Sequence, residues 1–336
     1  MSDLLRGVGL TMIAGLMSGN CMLPMKFARR WKWENVWLVF SVASLLVLPW
    51  IFAVWQVDDL WSVYRMVSVR VMATPFLFGG GWGVAQILFG ISVRRLGMGV
   101  AYAIIVGLGA VFGTLVPLFL AQRGFLSNAA IIEIITGVIV MVIGITLTTL
   151  GGHERERSPS KQSSASVNRE YVFAVLTAIL CGVMAPMLNY GFAFGQQLAQ
   201  AATSLGNSAS SAAYAVWPIV LLGGLIPNLL YSGYLLRKNR SWTLFGQGGS
   251  DAGLAALMAV LWVGAISLYG VAAVYLGPLG TSIGWGLLQI FMIMTATMSG
   301  VLTAEWKNSS QKARLFLTSG IAGLIGATML LTLGSR

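Results

Sequence analysis

The chain has 336 residues, 57% of them hydrophobic and 9% charged, and its mean hydropathy is +0.81. A soluble domain of this size needs far more charged surface to stay in water, so the solvent for most of the chain is lipid. The net charge of +11 does not point to nucleic acid, because the basic residues fall in short clusters between long apolar runs and not along one face of an element.

A hydrocarbon core of about 30 Å takes about 20 apolar residues as a helix, and open strands would leave backbone groups unpaired in lipid. Ten such runs are expected, at about 4–23, 35–56, 70–93, 96–119, 129–150, 170–194, 211–236, 252–275, 279–302 and 313–333. The first reads as a span and not a signal peptide, since no small-residue cleavage pattern leads into a polar mature chain. Cys21 and Cys181 both fall inside apolar runs and read as small packing residues without a disulfide framework.

Lysine and arginine set the expected orientation. The loops after odd-numbered spans carry Lys26, Arg29, Arg30 and Lys32; Arg94 and Arg95; Arg155, Arg157, Lys161 and Arg169; Arg237, Lys238 and Arg240; and Lys307, Lys312 and Arg314. The other side holds only Arg6, Arg65, Arg70, Arg123 and Arg336. The positive-inside rule then places the odd loops in the cytoplasm and both termini outside.

One long hydrophilic stretch, "HERERSPSKQSSASVNRE", follows the fifth run, and residues 153–169 of it are expected to form a flexible cytoplasmic linker. It holds the sole histidine, His153, read as solvated. The passages on either side echo one another. "WGVAQILFGISVRRLG" (82–97) matches "WVGAISLYGVAAVYLG" (262–277) at Trp82/Trp262, Ala85/Ala265, Leu88/Leu268, Gly90/Gly270, Leu96/Leu276 and Gly97/Gly277, with Phe89 facing Tyr269. "MLPMK" (22–26) echoes "MAPML" (184–188), pairing Pro24 with Pro186, and Val36 with Trp37 echoes Val216 with Trp217. Five spans precede the linker and five follow it. An odd number makes the second half enter the membrane from the opposite side, so the expected fold is an all-α membrane protein with a 5+5 inverted-topology repeat: residues 1–152 and 170–336, joined by the linker.

Inverted repeats place substrate near the midplane, often where helices are interrupted, which singles out Pro24 and Pro186. Polar side chains within spans need partners that lipid does not supply. Amides and hydroxyls beside indole faces suit a neutral polyhydroxylated ligand, because amides read hydroxyls and an indole covers the C–H face of a sugar. The candidate substrate-binding residues are Asn20, Lys26, Trp82, Gln86, Asn189, Trp262, Tyr269, Trp285 and Gln289. Each of the polar ones could equally serve in hydrogen bonding between helices. Among ten acidic residues only Glu133 stands inside a span, about four residues or roughly 6 Å from its start, where it either reaches the interface or serves as a proton-coupling site. Glu34 and Glu305, beside basic residues, read as surface ion pairs. No residues have metal-ligand spacing, a nucleophile with its base, or paired carboxylates, so neither an enzyme nor a bound cofactor is expected.

The chain resembles the L-rhamnose/proton symporters of the drug/metabolite transporter superfamily. The resemblance spans nearly the whole sequence, through "LPMKFARRWKWENVW" (23–37) and "LPW" (48–50), "FGGGWGVAQILFG" (78–90) with "LGMG" (96–99), "CGVMAP" (181–186) and "AEWKN" (304–308). It implies a ten-helix carrier of the bacterial inner membrane that imports a deoxy sugar with a proton as coupling ion, with spans 1, 3, 4, 6, 8 and 9 around the cavity. The chain departs from the family pattern in spans 3, 8 and 9: it carries Gln86, Ala265 and Leu288 where the family carries Asn, Gln and His, and Leu88 in place of a second Asn. The expectation is therefore a secondary transporter for a small neutral sugar, most simply L-rhamnose, working by alternating access. A metabolite exporter or facilitator of the same fold is the alternative, and a transport-free membrane sensor or scaffold is the rival of another class.

Overall fold

The structure, a computed structural model, describes residues 2–122, 127–156, 169–307 and 309–334. These residues form helices and no strand, and ten helical segments are long and apolar enough to cross a membrane. They are span 1 (Asp3–Phe27), span 2 (Trp33–Gln56), span 3 (Val69–Leu96), span 4 (Val100–Leu120), span 5 (Asn128–Arg155), span 6 (Arg169–Ser204), span 7 (Ala209–Lys238), span 8 (Gly249–Tyr275), span 9 (Gly277–Leu302) and span 10 (Gln311–Leu333). Number and order agree with the hydropathy reading, because the cost of an unpaired backbone in lipid leaves each apolar run no other regular state.

Spans 1, 2 and 6 break beside a proline, which removes a backbone donor and crowds the carbonyl one turn back, whereas Pro75 and Pro227 sit inside the unbroken helices Val69–Leu96 and Trp217–Lys238. In span 1 the α-helix Ser2–Asn20 gives way to the 3-10 turn Leu23–Phe27, with Pro24 buried near its start. Span 6 breaks at Pro186, between Arg169–Met184 and Met187–Phe194. Span 2 holds a break that the sequence reading did not anticipate, a π-turn over Ala43–Val47 immediately ahead of Pro49. A proline that gives no N–H to the ladder is a natural place for the helix to widen.

Two boundaries differ from expectation. Span 6 runs about ten residues beyond 194: Gln196, Gln197 and Gln200 interrupt the apolar run, yet Leu198, Ala199 and Ala202 give the helix Gln196–Ser204 a buried face. The hydrophilic linker also begins later than residue 153, since the helix of span 5 continues to Glu156. Two contacts hold that last turn, Arg155 to Glu305 at 2.8 Å and Lys312 to Glu154 at 3.6 Å. Residues 157–168 of the expected linker lie outside the described residues.

Eight spans close a ring. In order around it, span 1 packs on 8, 8 on 2, 2 on 7, 7 on 3, 3 on 6, 6 on 4, 4 on 9, and 9 back on 1. Spans 5 and 10 pack on each other outside the ring, against spans 4 and 9. The closest approach is between spans 3 and 7: a Cβ on Gly79 would lie 1.7 Å from the Val220 carbonyl oxygen, and one on Gly223 would lie 1.9 Å from that of Phe76. Small residues allow this, and dispersion across the seam takes the place of a hydrophobic driving force absent in lipid.

The two ends of the bundle are chemically distinct. At one, hereafter the basic end, Asp251 accepts the backbone N–H groups of Arg29, Arg30 and Trp31, Arg94 donates to the Tyr231 hydroxyl, and Lys26 meets Glu305. At the other, the far end, Asn207 clasps the backbone of Asp58, and the Tyr64 hydroxyl donates to the Ala215 carbonyl.

Candidate functional site: a tryptophan-lined interior within the ring

Trp82 and Trp262 meet inside the ring. Each stands midway along its helix, Val69–Leu96 and Gly249–Tyr275, and their indoles stack with centroids 5.3 Å apart and planes 14° from parallel. Phe40 of span 2 closes edge-on over Trp262 at 6.2 Å. Both indoles are more than nine-tenths buried. Stacked aromatic pairs contribute about 0.5–1.5 kcal/mol beyond their area, so this contact locks the midpoints of spans 3 and 8 together.

One helical turn from Trp82 towards the basic end stands Gln86, and one turn from Trp285 in the same direction stands Gln289. Both are half-buried, and neither side chain makes a hydrogen bond to the described residues. An amide inside a membrane protein carries four hydrogen-bonding sites, and leaving them without protein partners keeps them available to water or ligand. Gln289 shares its helix face with Ile293, Ala296 and Gly300, which line a cavity of about 240 Å³. That cavity opens between the basic ends of spans 4, 5 and 9, with Tyr102, Thr148 and Thr149 on its other walls. Tyr102 also meets Phe89 of span 3 edge-on at 6.1 Å.

The mouth of the cavity holds a charged cluster. Glu305 accepts from Lys26 Nζ at 2.9 Å and from Arg155 at 2.8 Å, and the Arg155 guanidinium lies 5.0 Å from the Trp306 ring centroid. The Lys26 hydrogen bond, with that of Arg155 behind it, holds the Glu305 carboxyl below the usual glutamate range, against the opposing effect of burial. Lys26 is thus paired at the mouth, with its side chain 63% exposed.

On the far side of the tryptophan stack the interior is sealed. Asn189, fully buried just after the Pro186 break, donates to the carbonyls of Gly113 and Thr281, each at 2.9 Å, and accepts from the Tyr269 hydroxyl. Tyr190 donates to the Phe112 carbonyl at 2.8 Å, and the Trp285 indole N–H donates to that of Gly109 at 3.1 Å. Spans 4, 6, 8 and 9 are therefore tied by several interhelical bonds. At about 0.6 kcal/mol each, they hold the far end shut with on the order of 2–3 kcal/mol.

The remaining candidates lie apart from these groups. Asn20 accepts from the Ser299 hydroxyl at 2.6 Å and donates to the Leu16 carbonyl, joining spans 1 and 9 near the basic end. Glu133 is half-buried on span 5, outside the ring and near the far end, and makes no ion pair or hydrogen bond with the described residues. Glu34, expected in a surface ion pair, is instead buried and accepts from Asn239 Nδ2 at 2.9 Å and Ser241 Oγ at 2.7 Å. It ties the start of span 2 to the side chains just after span 7, a partnership between residues more than 200 apart in sequence that local charge pattern does not reveal. Asp251, with its three backbone donors, was missed for the same reason.

An all-helical ring of apolar spans, with indoles and unpartnered amides inside and a cavity at one end, defines a multi-pass membrane protein built as a carrier. The chain belongs to the L-rhamnose-proton symport protein (RhaT) family, whose family model matches residues 3–336. It is 28% identical over 333 residues to the L-rhamnose-proton symporter of Cronobacter sakazakii, covering 96% of this chain and 95% of that one. It is 26% identical over 332 residues to the symporter of the same name from Klebsiella pneumoniae subsp. pneumoniae, covering 96% of both. The family is one of transporters, and the protein is not an enzyme.

Proposed function

We propose that the protein imports L-rhamnose together with a proton across the bacterial inner membrane. The observation that carries this is the stack of Trp82 on Trp262, with Gln86 and Gln289 standing towards the basic end without hydrogen bonds to the described residues, in a chain that matches a rhamnose-proton symport family from residue 3 to residue 336. Indole faces take the C–H side of a pyranose, and the two amides take its hydroxyls. Asn20, Lys26, Asn189, Tyr269 and Trp285 surround the route on either side of that centre.

The two halves, 1–152 and 170–336, act as an inverted repeat that rocks about the midplane. The packing pattern supports this reading. Exchanging spans 1–5 with 6–10 turns each contact of the ring into another contact of the ring: 1 on 8 becomes 6 on 3, 1 on 9 becomes 6 on 4, and 2 on 8 becomes 7 on 3. By the positive-inside rule the basic end faces the cytoplasm and both termini the periplasm. The present conformation is then the one open to the cytoplasm. Glu133 is the proposed proton carrier: of the other carboxyls within the span bounds, Glu34 and Asp251 are occupied by loop contacts, Glu154 meets Lys312, and Asp3 and Glu170 stand exposed at span ends.

The test is rhamnose uptake into proteoliposomes under an imposed proton gradient. Accumulation that collapses with an uncoupler is expected, and Glu133→Gln should abolish accumulation while leaving rhamnose exchange. Uptake indifferent to the gradient would sink the coupling, and saturable flux of another metabolite in place of rhamnose would sink the substrate.

A further inference from the structure

The two ends of the interior are furnished differently at matching positions. Phe89 and Tyr269 correspond in the duplicated passages, and each ring meets an aromatic ring of the following span edge-on, Phe89 on Tyr102 at 6.1 Å and Tyr269 on Trp285 at 5.9 Å. Only Tyr269 carries a hydroxyl, which it donates to Asn189. Trp37 and Trp217 correspond likewise. Trp37 donates its indole N–H to Asn228 at 2.8 Å, whereas the N–H of Trp217 has no partner among the described residues although Trp217 is 2% exposed. The position matching Asn228 in the same register is Leu48, whose side chain offers no acceptor.

A buried donor without an acceptor is costly, and native structures contain few of them. This one sits in a specific place. The Trp217 indole stacks on Phe192 at 4.6 Å and lies 6.4 Å from the Tyr269 ring, so the orphan N–H belongs to the same aromatic chamber as the bond of Tyr269 to Asn189.

We propose that Trp217, Tyr269 and Asn189 are the hydroxyl-reading set of the carrier when it is open at the far end, and that the bond of Tyr269 to Asn189 takes the place of the sugar in the present conformation. This rests on the transport reading above. A pyranose with neighbouring hydroxyls accepts from the Trp217 N–H and the Tyr269 O–H and donates to Asn189 Oδ1. Sugar binding at the far end then exchanges a protein bond for ligand bonds, and sugar release towards the basic end lets the chamber close on itself. Differential affinity of this kind is what allows a ligand to move a conformational equilibrium.

The experiment uses the full chain in proteoliposomes with two variants. Trp217→Phe removes the orphan donor and leaves the bond of Tyr269 to Asn189 in place; Tyr269→Phe removes that bond. Each is measured for L-rhamnose affinity, thermal midpoint and, with Thr281→Cys added, the rate of labelling at position 281 by a membrane-impermeant maleimide from the far side. Cys21 and Cys181 are buried and add little background.

Trp217→Phe is expected to weaken rhamnose binding about fivefold to tenfold with labelling unchanged. Tyr269→Phe is expected to label several-fold faster in the absence of sugar. Trp217→Phe with wild-type affinity, or Tyr269→Phe with wild-type labelling, overturns the proposal. Should the unsubstituted protein bind no rhamnose, the affinity arm uses whichever sugar of a panel stabilises it. Faster labelling of Tyr269→Phe then retains the latch while the rhamnose reading falls, and a panel with no binder overturns the hydroxyl-reading role itself.

Discussion

Trp82 and Trp262, 180 positions apart in the chain, lie face to face with ring centroids 5.3 Å apart and planes 14° from parallel. They are also the first matching pair of the duplicated passage. Each stands midway along its helix, so the contact joins the midpoints of spans 3 and 8 inside the ring.

That contact is expected to be energetically coupled. Trp82→Ala and Trp262→Ala should each lower stability by about 3–5 kcal/mol. The double variant should fall short of their sum by about 0.5–1.5 kcal/mol, the share owed to the stack. Unfolding in detergent, followed for all four proteins, checks this; strict additivity would show that the rings are neighbours without interacting.

Gln86 and Gln289 separate binding from folding. Their side chains make no hydrogen bond to the described residues, so Gln86→Leu and Gln289→Leu should leave the thermal midpoint unchanged or raise it slightly. Rhamnose affinity should fall by about fivefold to thirtyfold in each, the range of one or two lost hydrogen bonds to a neutral hydroxyl. A loss of stability with affinity intact would assign the amides to the scaffold.

The cluster at the cavity mouth predicts a pH dependence with a definite sign. The folded-state carboxyl of Glu305 is depressed by Lys26 and Arg155, so its contribution is present above the ordinary glutamate pKa of about 4.3 and disappears as pH falls through the lower folded value. Partly exposed pairs contribute modestly, about 0.2–1 kcal/mol each. Glu305→Gln should therefore lower stability slightly at neutral pH and flatten the acid limb of the stability profile, as measured by thermal melting from pH 7 to pH 3. An acid limb identical to that of the unsubstituted protein would remove Glu305 from the account.

The seam between spans 3 and 7 gives an internal control on one helix. Gly79→Ala places a Cβ 1.7 Å from the Val220 carbonyl oxygen, backbone against backbone, and should prevent the native packing. Gly90→Ala, eleven residues further on with nothing within 4 Å, should be tolerated or stabilise by up to about 1 kcal/mol through the lower helix cost of alanine. Yields of monodisperse protein in mild detergent distinguish the two; equal behaviour would mean that the spans do not approach this closely.

Much of the fold was legible because lipid is an unforgiving solvent. Each apolar run of about 20 residues has one regular state open to it, so ten spans and their order followed from hydropathy, and Pro24 and Pro186 announced two of the breaks. Span 6 was read short because helix Gln196–Ser204 is amphipathic, and a search for unbroken apolarity passes over such a segment. The candidate site was legible in kind and not in arrangement. Indoles and amides inside spans stand out against a composition with 9% charge, and Trp82, Trp262, Tyr269 and Asn189 were all visible as outliers.

What the sequence by itself determined is the solvent, the number of crossings, the sorting of charge between the two ends and the recurrence of one passage in both halves. These depend on local composition and on periodicity along a single helix. The tertiary structure alone decided that Trp82 stacks on Trp262, that Tyr269 gives its hydroxyl to Asn189 while Trp217 keeps an orphan N–H among the described residues, and that Glu34 accepts from Asn239 and Ser241 after span 7 in place of an ion pair. Those facts depend on the rotation and height of each helix against its neighbours. Rotation and height are set by the summed packing of the whole ring, with Gly79 and Gly223 letting two backbones close to contact, and no window of neighbouring residues contains that sum.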